Sequence, residues 1–74
     1  LVYVLPRESF VDITVYDLLG NIINNLVHNQ KSSGSHSIIW DGTNNQGKSV
    51  PAGIYLYRIH TSDFSKTRKM ILLK

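Results

Sequence analysis

The sequence contains no cysteine, so disulfide bonds and thiolate metal sites are excluded. A chain of 74 residues buries a smaller share of its surface than a larger domain does, and small domains often gain stability from disulfides or a metal. This chain must therefore depend on side-chain packing or on a neighbouring domain. No apolar run approaches the roughly 20 residues that a helix needs to cross a bilayer, so we do not expect membrane insertion.

Motifs that carry catalysis are also missing. There is no nucleophile elbow, no glycine-rich phosphate loop and no helical metalloprotease motif. The three histidines are far apart along the chain, and the five carboxylates are spread over several predicted strands and turns. The segment 41–47 has one carboxylate, whereas calcium takes roughly six to eight oxygen ligands, so a β-turn is the favoured interpretation. We predict no enzymatic activity, no cofactor and no metal.

Positive charge is concentrated at one end of the chain. The net charge is +3, but residues 58–74 carry five basic residues and one acidic residue. Such an end can bind an acidic partner surface, an anionic lipid or a nucleic acid. It is also typical of a solvated edge strand whose charges discourage aggregation, and we favour that interpretation. Nucleic acid is not among the predicted partners.

Short segments of alternating apolar and polar residues dominate the rest of the sequence. Turn residues separate them at intervals of about 8–12 residues, which is typical of a β-sandwich or a small barrel. We predict an all-β fold, an Ig-like antiparallel β-sandwich of about seven short strands without a disulfide. The predicted strands are 1–5, 10–18, 22–27, 36–40, 54–61 and 66–73, with a doubtful edge strand at Val50.

Several strand features lead to more specific expectations. Val11, Ile13 and Val15 share one face of the second strand and are the expected core residues. A tight turn is expected at 20–21, and an exposed loop at 28–35, which has no apolar residue. Both faces of 54–57 are apolar, which predicts a central strand covered on both sides at one end.

Three aromatic residues of the C-terminal half have two possible roles. Trp40, Tyr55 and Tyr57 could form a stacking platform for sugars, as on a carbohydrate-binding module. Large aromatics are also how a small sandwich fills its core. Trp40 shares a strand face with Ile38, so burial in the core is the favoured interpretation.

Five motifs, in order along the chain, resemble those of a known family. They are Leu5-Pro6, Val15 to Gly20 (VYDLLG), Trp40-Asp41-Gly42, Pro51 to Tyr55 (PAGIY), and Lys69 to Lys74 (KMILLK). Together they resemble the C-terminal sorting domains of the type IX secretion system (Por secretion tail, type A). The Trp-Asp-Gly variant is shared with the Ig-like domain of the flagellar hook-capping protein.

The resemblance implies a fold, a function and partners. The fold would be a compact Ig-like sandwich, and the function that of a signal directing a cargo protein through the outer membrane. Implied partners are the outer-membrane secretion machinery, a sortase-type peptidase that later removes the domain, and an upstream cargo domain. The protein would be exported, passing through the periplasm to the cell surface or medium. Residues matching the motifs needed for sorting are Gly53, Tyr55, Lys69 and Lys74.

Other interpretations remain open at this point. Lys69 and Lys74 have four residues between them, whereas the family often has three. The main alternative is a structural Ig-like assembly module, hook-cap-like or part of a surface stalk. A carbohydrate-binding accessory domain is a further alternative. We expect residues 1–74 to be a single domain cut from a longer exported protein, because the chain lacks an initiator Met and strand-like sequence starts at Leu1.

Overall fold

A computed structural model describes residues 1–74 and contains six β-strands and no helix. The strands form a large antiparallel sheet in the order β3-β2-β5-β6 and a small sheet of β1 and β4. The predicted all-β, Ig-like sandwich is thereby confirmed, with six strands instead of about seven. No helix in it is long and apolar enough to cross a membrane. The strands are β1 Val2–Leu5, β2 Ser9–Tyr16, β3 Ile22–Lys31, β4 Gly34–Ser37, β5 Gly53–His60 and β6 Ser65–Leu72.

Strand β2 lies in the middle of the large sheet and carries the centre of the core. Its alternating sequence points Val11, Ile13 and Val15 to one face, and all three are 0% exposed, as predicted. Fully burying an aliphatic side chain contributes about 1.5–3 kcal/mol. On either side β2 pairs antiparallel with β3 and β5. The core is therefore built on the strand with the clearest alternation.

The core is divided into two clusters along the inner face of the large sheet. The first lies beneath the small sheet, where Tyr3 and Leu5 of β1 pack against Ile13 and Ile59. The second lies beneath the segment 40–50 and is made of the buried Val15, Val50 and Tyr55 together with partly buried neighbours. The small sheet thus covers one half of the inner face, and the segment 40–50 covers the other half.

The turn between β2 and β3 is organised by one carboxylate. Asp17 accepts hydrogen bonds from the backbone N–H groups of Leu19 and Asn21, both at 2.9 Å. Gly20 has a φ of 89°, a left-handed conformation that glycine adopts without steric cost. The expected turn at Gly20 and Asn21 is present. Strand β2 ends at Tyr16 and not at residue 18 as predicted, because the Asp17 carboxylate holds a wider loop.

Three further predictions about strand positions were wrong. The segment 28–31 was expected to be a loop, yet it extends β3, pairing with Ser9 to Asp12. This part of β3 lies at the edge of the sheet, and its side chains are mostly exposed. A polar sequence there can still form backbone hydrogen bonds with the neighbouring strand. The predicted strand 36–40 lies instead at Gly34–Ser37. The predicted edge strand at Val50 is absent, and an isolated bridge between Thr43 and Ser49 lies nearby.

Candidate interaction surface

The four residues predicted to be recognised lie on β5, on β6 and just after β6, and their side chains differ in exposure. Gly53 begins β5 with a φ of 152°, and a Cβ there would meet nothing within 4 Å, so conformation and not crowding favours glycine. Lys69 is exposed on the outer face of the large sheet. Lys74 contacts the hydroxyl of Ser49. Tyr55 is 7% exposed and belongs to the core. Their role in recognition remains a prediction.

The aromatic cluster is part of the packing and does not form a flat platform. The Tyr55 hydroxyl donates to the carbonyl oxygen of Pro51 at 2.5 Å, and its ring meets the Trp40 ring edge-on, with centroids 5.1 Å apart. Trp40 Nε1 donates to the carbonyl oxygen of Thr43 at 2.8 Å. Both rings are engaged in the fold, which supports the core interpretation and argues against sugar stacking.

An apolar area on the outer face of the large sheet is the clearest candidate for binding a partner. Strand pairing places Ile22, Tyr16 and Leu56 in one row across β3, β2 and β5. Ile54 and Ile71 pair in the adjacent row. Ile22, Ile54 and Ile71 are 62%, 43% and 65% exposed. We call these five residues the outer patch.

The outer patch corrects one expectation about β5. The strand is central, as predicted, since β2 and β6 flank it. It was also expected to be covered on both sides, yet no element of the chain covers Ile54 and Leu56 on the outer face. Large contiguous apolar areas on a protein surface often mark interaction sites. The sequence predicted that another part of the chain would cover these residues of β5. Because none does, they indicate that a partner covers them.

The other end of the same face is polar and hydrogen-bonded. Asp12 accepts hydrogen bonds from the Thr14 hydroxyl at 2.8 Å and the Asn25 amide at 3.0 Å, and its second oxygen lies 3.2 Å from His28 Nδ1. Partial burial opposes ionisation of Asp12, but these hydrogen bonds outweigh it and lower the pKa of the carboxyl below its usual value. The ionised carboxylate therefore stabilises the fold.

This cluster predicts how stability depends on pH. Because the pKa of Asp12 is lowered by folding, its contribution is present above the unfolded value of about 3.9 and is lost as pH falls through the folded value. Asp12→Asn should cost less than about 1 kcal/mol at pH 7, since a surface cluster is screened by solvent. Urea unfolding of both proteins should show a gap that closes as pH falls below the unfolded pKa of about 3.9. A gap of constant size at every pH would contradict this assignment.

Neither a metal site nor a calcium loop is formed. No group of three or more His, Asp and Glu side chains lies close enough to hold a metal ion. The Asp41 carboxylate accepts hydrogen bonds from the backbone N–H and the hydroxyl of Thr43, at 3.2 and 2.6 Å. This is a local turn structure, as the sequence predicted.

Comparison with known proteins identifies relatives of the domain. Residues 2–64 match the family described as FlgD Ig-like domain. A solved structure, FlgD from P. aeruginosa, matches with a TM-score of 0.72 and 34% sequence identity. The match covers 95% of this chain and 54% of that one, so the chain spans about half the length of the solved protein. A search of curated proteins found no match.

These matches overturn the predicted sorting function. The interpretation as a type IX secretion signal was wrong, as were its predicted partners, the outer-membrane secretion machinery and a sortase-type peptidase. The motif Trp40-Asp41-Gly42 pointed to the correct relative, while the other four motifs pointed to sorting domains. Those four describe strand ends and turns that an Ig-like sandwich needs for folding, so they do not separate the two families.

Proposed function

Because the chain belongs to the FlgD Ig-like domain family, we propose that it is a non-catalytic assembly module that holds protein subunits together in a hook-cap-like or stalk-like structure. The observation that carries the proposal is the family match over residues 2–64, together with 34% identity to a solved FlgD. A module of this kind works by presenting a stable surface to its partners. The protein would be exported to reach such a structure.

The proposed contact surface is the outer patch. Its apolar side chains are contiguous across three neighbouring strand pairs, and the rigid central strands β2 and β5 hold two of its rows in place. Lys69 lies beside Leu56 at the margin of the patch, where a charged side chain can add specificity at the rim of an interface. This is the role we propose for one of the predicted recognition residues.

We further propose that residues 1–74 act as one Ig-like domain within a longer exported polypeptide. The solved relative supports this, since the match covers only 54% of its length. Within such a polypeptide the domain would contact both its own neighbouring domain and adjacent subunits.

The contact surface can be tested with paired charge substitutions in the natural polypeptide. Ile22→Glu with Ile71→Glu places two charges in the outer patch and should reduce subunit assembly about 100-fold, since desolvating an unpaired carboxylate in an interface costs several kcal/mol. The matched control is Leu19→Glu with Leu73→Glu, which changes two exposed side chains outside the patch, 88% and 83% exposed. Co-sedimentation measures assembly, and circular dichroism verifies folding.

Two results would count against these proposals in different ways. Equal assembly of the patch variant and the control variant would remove the outer patch as the contact surface. Normal assembly after in-frame removal of residues 1–74 would contradict the assembly function itself.

A further inference from the structure

The small sheet leaves part of the large sheet uncovered. Its two strands lie over the centre of the inner face, where Tyr3 and Leu5 pack on Ile13 and Ile59. Beyond β1 the inner face of β6 is open, and a groove of about 780 Å³ runs between the two strands. An Ig-like sandwich typically has about seven strands, and this one has six. The groove occupies the position that a third strand of the small sheet would fill.

The edge of β1 that faces this groove has unpaired backbone groups. Leu1 and Ile38 exchange two backbone hydrogen bonds, at 3.1 and 2.9 Å. In an antiparallel pair, hydrogen-bonded and non-hydrogen-bonded positions alternate, so Val2 and Val4 direct their N–H and C=O groups away from β4. Nothing in the chain pairs with that edge. A free edge of this kind is a template for an additional strand.

The opposite wall of the groove is basic. Lys66 and Arg68 of β6 lie on the inner face beside Ile59 and Tyr57, to which they are paired. The Lys66 ammonium lies 5.9 Å from the centre of the Phe64 ring. No acidic residue lines the groove. The nearby Asp63 is engaged with Arg7 in an ion pair, Nε donating at 3.0 and 3.1 Å, and does not neutralise this wall.

We propose that an extended acidic segment of a partner subunit binds in this groove as a third strand beside β1. The proposal rests on the assembly function proposed above and names the chemistry of one partner. Main-chain hydrogen bonds to Val2 and Val4 would supply affinity, and charge pairing with Lys66 and Arg68 would select the segment.

The geometry also defines the sequence pattern of the segment. Side chains alternate across a strand, and those next to Tyr3 and Leu5 point inward, as these two residues do. Inward positions should be Glu or Asp, because they face Lys66 and Arg68. Outward positions lie next to Val2 and Val4, which are 68% and 62% exposed, so β-branched apolar residues fit there. The binding segment is therefore one in which acidic and β-branched residues alternate.

A protective role for the two basic residues is the competing interpretation. Inward-pointing charges can keep other chains from adding to a sheet edge. Under that interpretation, removing the charges would promote strand addition instead of weakening it. The two interpretations therefore predict opposite effects of neutralising Lys66 and Arg68: weaker binding of an acidic segment if the charges attract it, and tighter binding if they protect the edge.

The test uses a short fluorescein-labelled peptide in which Glu and Val alternate, titrated into the protein at low salt and followed by anisotropy. We expect saturable binding that slows hydrogen exchange at the Val2 and Val4 amides. Lys66→Glu with Arg68→Glu should weaken binding about tenfold or more, which corresponds to about 1.4 kcal/mol. Lys48→Glu with Lys74→Glu makes the same change in net charge away from the groove and should weaken binding less than about threefold. A peptide with N-methylated valines should not bind.

Each contrary result has a definite meaning. Absence of peptide binding, unchanged affinity in Lys66→Glu with Arg68→Glu, or equal binding of the N-methylated peptide would overturn the proposal. Tighter binding of the same peptide to the neutral variant Lys66→Gln with Arg68→Gln would establish the protective role instead. If the groove fails this test while the outer-patch variants still block assembly, the proposed function stands and only the acidic strand is rejected.

Discussion

Ile13→Ala is expected to destabilise the domain by about 2–5 kcal/mol, the range for removing a large buried aliphatic side chain. Ile13 is 0% exposed, lies on the central strand β2, and belongs to the cluster that joins the two sheets. Its neighbours come from both sheets and cannot close the cavity without disturbing the strand ladders. A domain of this size has a total stability of about 4–11 kcal/mol, so the variant should be largely unfolded under mild denaturing conditions.

The measurement is the free energy of unfolding from urea titration, followed by circular dichroism. Leu19→Ala is the matched control, because Leu19 is 88% exposed in the turn after β2 and should change stability by less than about 0.5 kcal/mol. Equal effects of the two substitutions would mean that the β2 core does not hold the sheets together.

Trp40→Ala is expected to cost about 3 kcal/mol, near the lower end of the range for large aromatic residues because Trp40 is half-buried. The substitution removes an edge-on contact with Tyr55 and the hydrogen bond to the Thr43 carbonyl. Both contacts hold the segment 40–50 over the second core cluster. We expect this segment to loosen, exposing Val15 and Val50.

The neighbouring residue provides the control for this prediction. Ile39 is 87% exposed, so Ile39→Ala should change stability by less than about 0.5 kcal/mol. Hydrogen exchange can localise the effect of Trp40→Ala, since the amide of Val50 donates to the Gly42 carbonyl at 2.9 Å and should lose protection first. Protection at Val50 that persists in Trp40→Ala would show that the loop is held by other contacts.

The core could be predicted from sequence because its signal is local. Period-two alternation in β2 assigned Val11, Ile13 and Val15 to one face without any knowledge of their partners. The segment 28–31 could not be assigned in the same way. It has no apolar residue to mark a face, and it becomes a strand only because Ser9 to Asp12 offers a ladder partner.

The end of the predicted fourth strand failed for a related reason. Ile38, Ile39 and Trp40 alternate as strand residues do, but the chain leaves β4 at Ser37. Beyond it, Ile38 bonds to Leu1 and the Trp40 side chain to Thr43, contacts that depend on the chain outside the segment. Alternation reported correctly which side chains are buried, but it did not show that backbone pairing ends at Ile38, which still exchanges hydrogen bonds with Leu1.

The interaction surfaces were the least predictable part of the molecule. The outer patch combines residues from four strands, and the groove combines β1 with the turn before β6 and with β6 itself. Which residues belong to either surface depends on the strand register and the strand order of the sheets. A local sequence pattern gives neither of these. The sequence did reveal that both faces of β5 are apolar and that the last strand is basic. Only the fold shows that the apolar side chains on the outer face of β5 and the basic side chains of β6 face open solvent.

The central pairing of β2 with β5 also determines the order in which the domain can fold. The hairpins β2–β3 and β5–β6 join strands that are neighbours along the chain, so each can form early. Joining them requires Tyr16 to meet Leu56 and Asp12 to meet His60, which closes a long loop that contains β3 and β4. The free-energy cost of that closure is offset only when apolar side chains on the inner face are covered. Docking of the two hairpins is therefore the slow step expected of a fold dominated by non-local contacts.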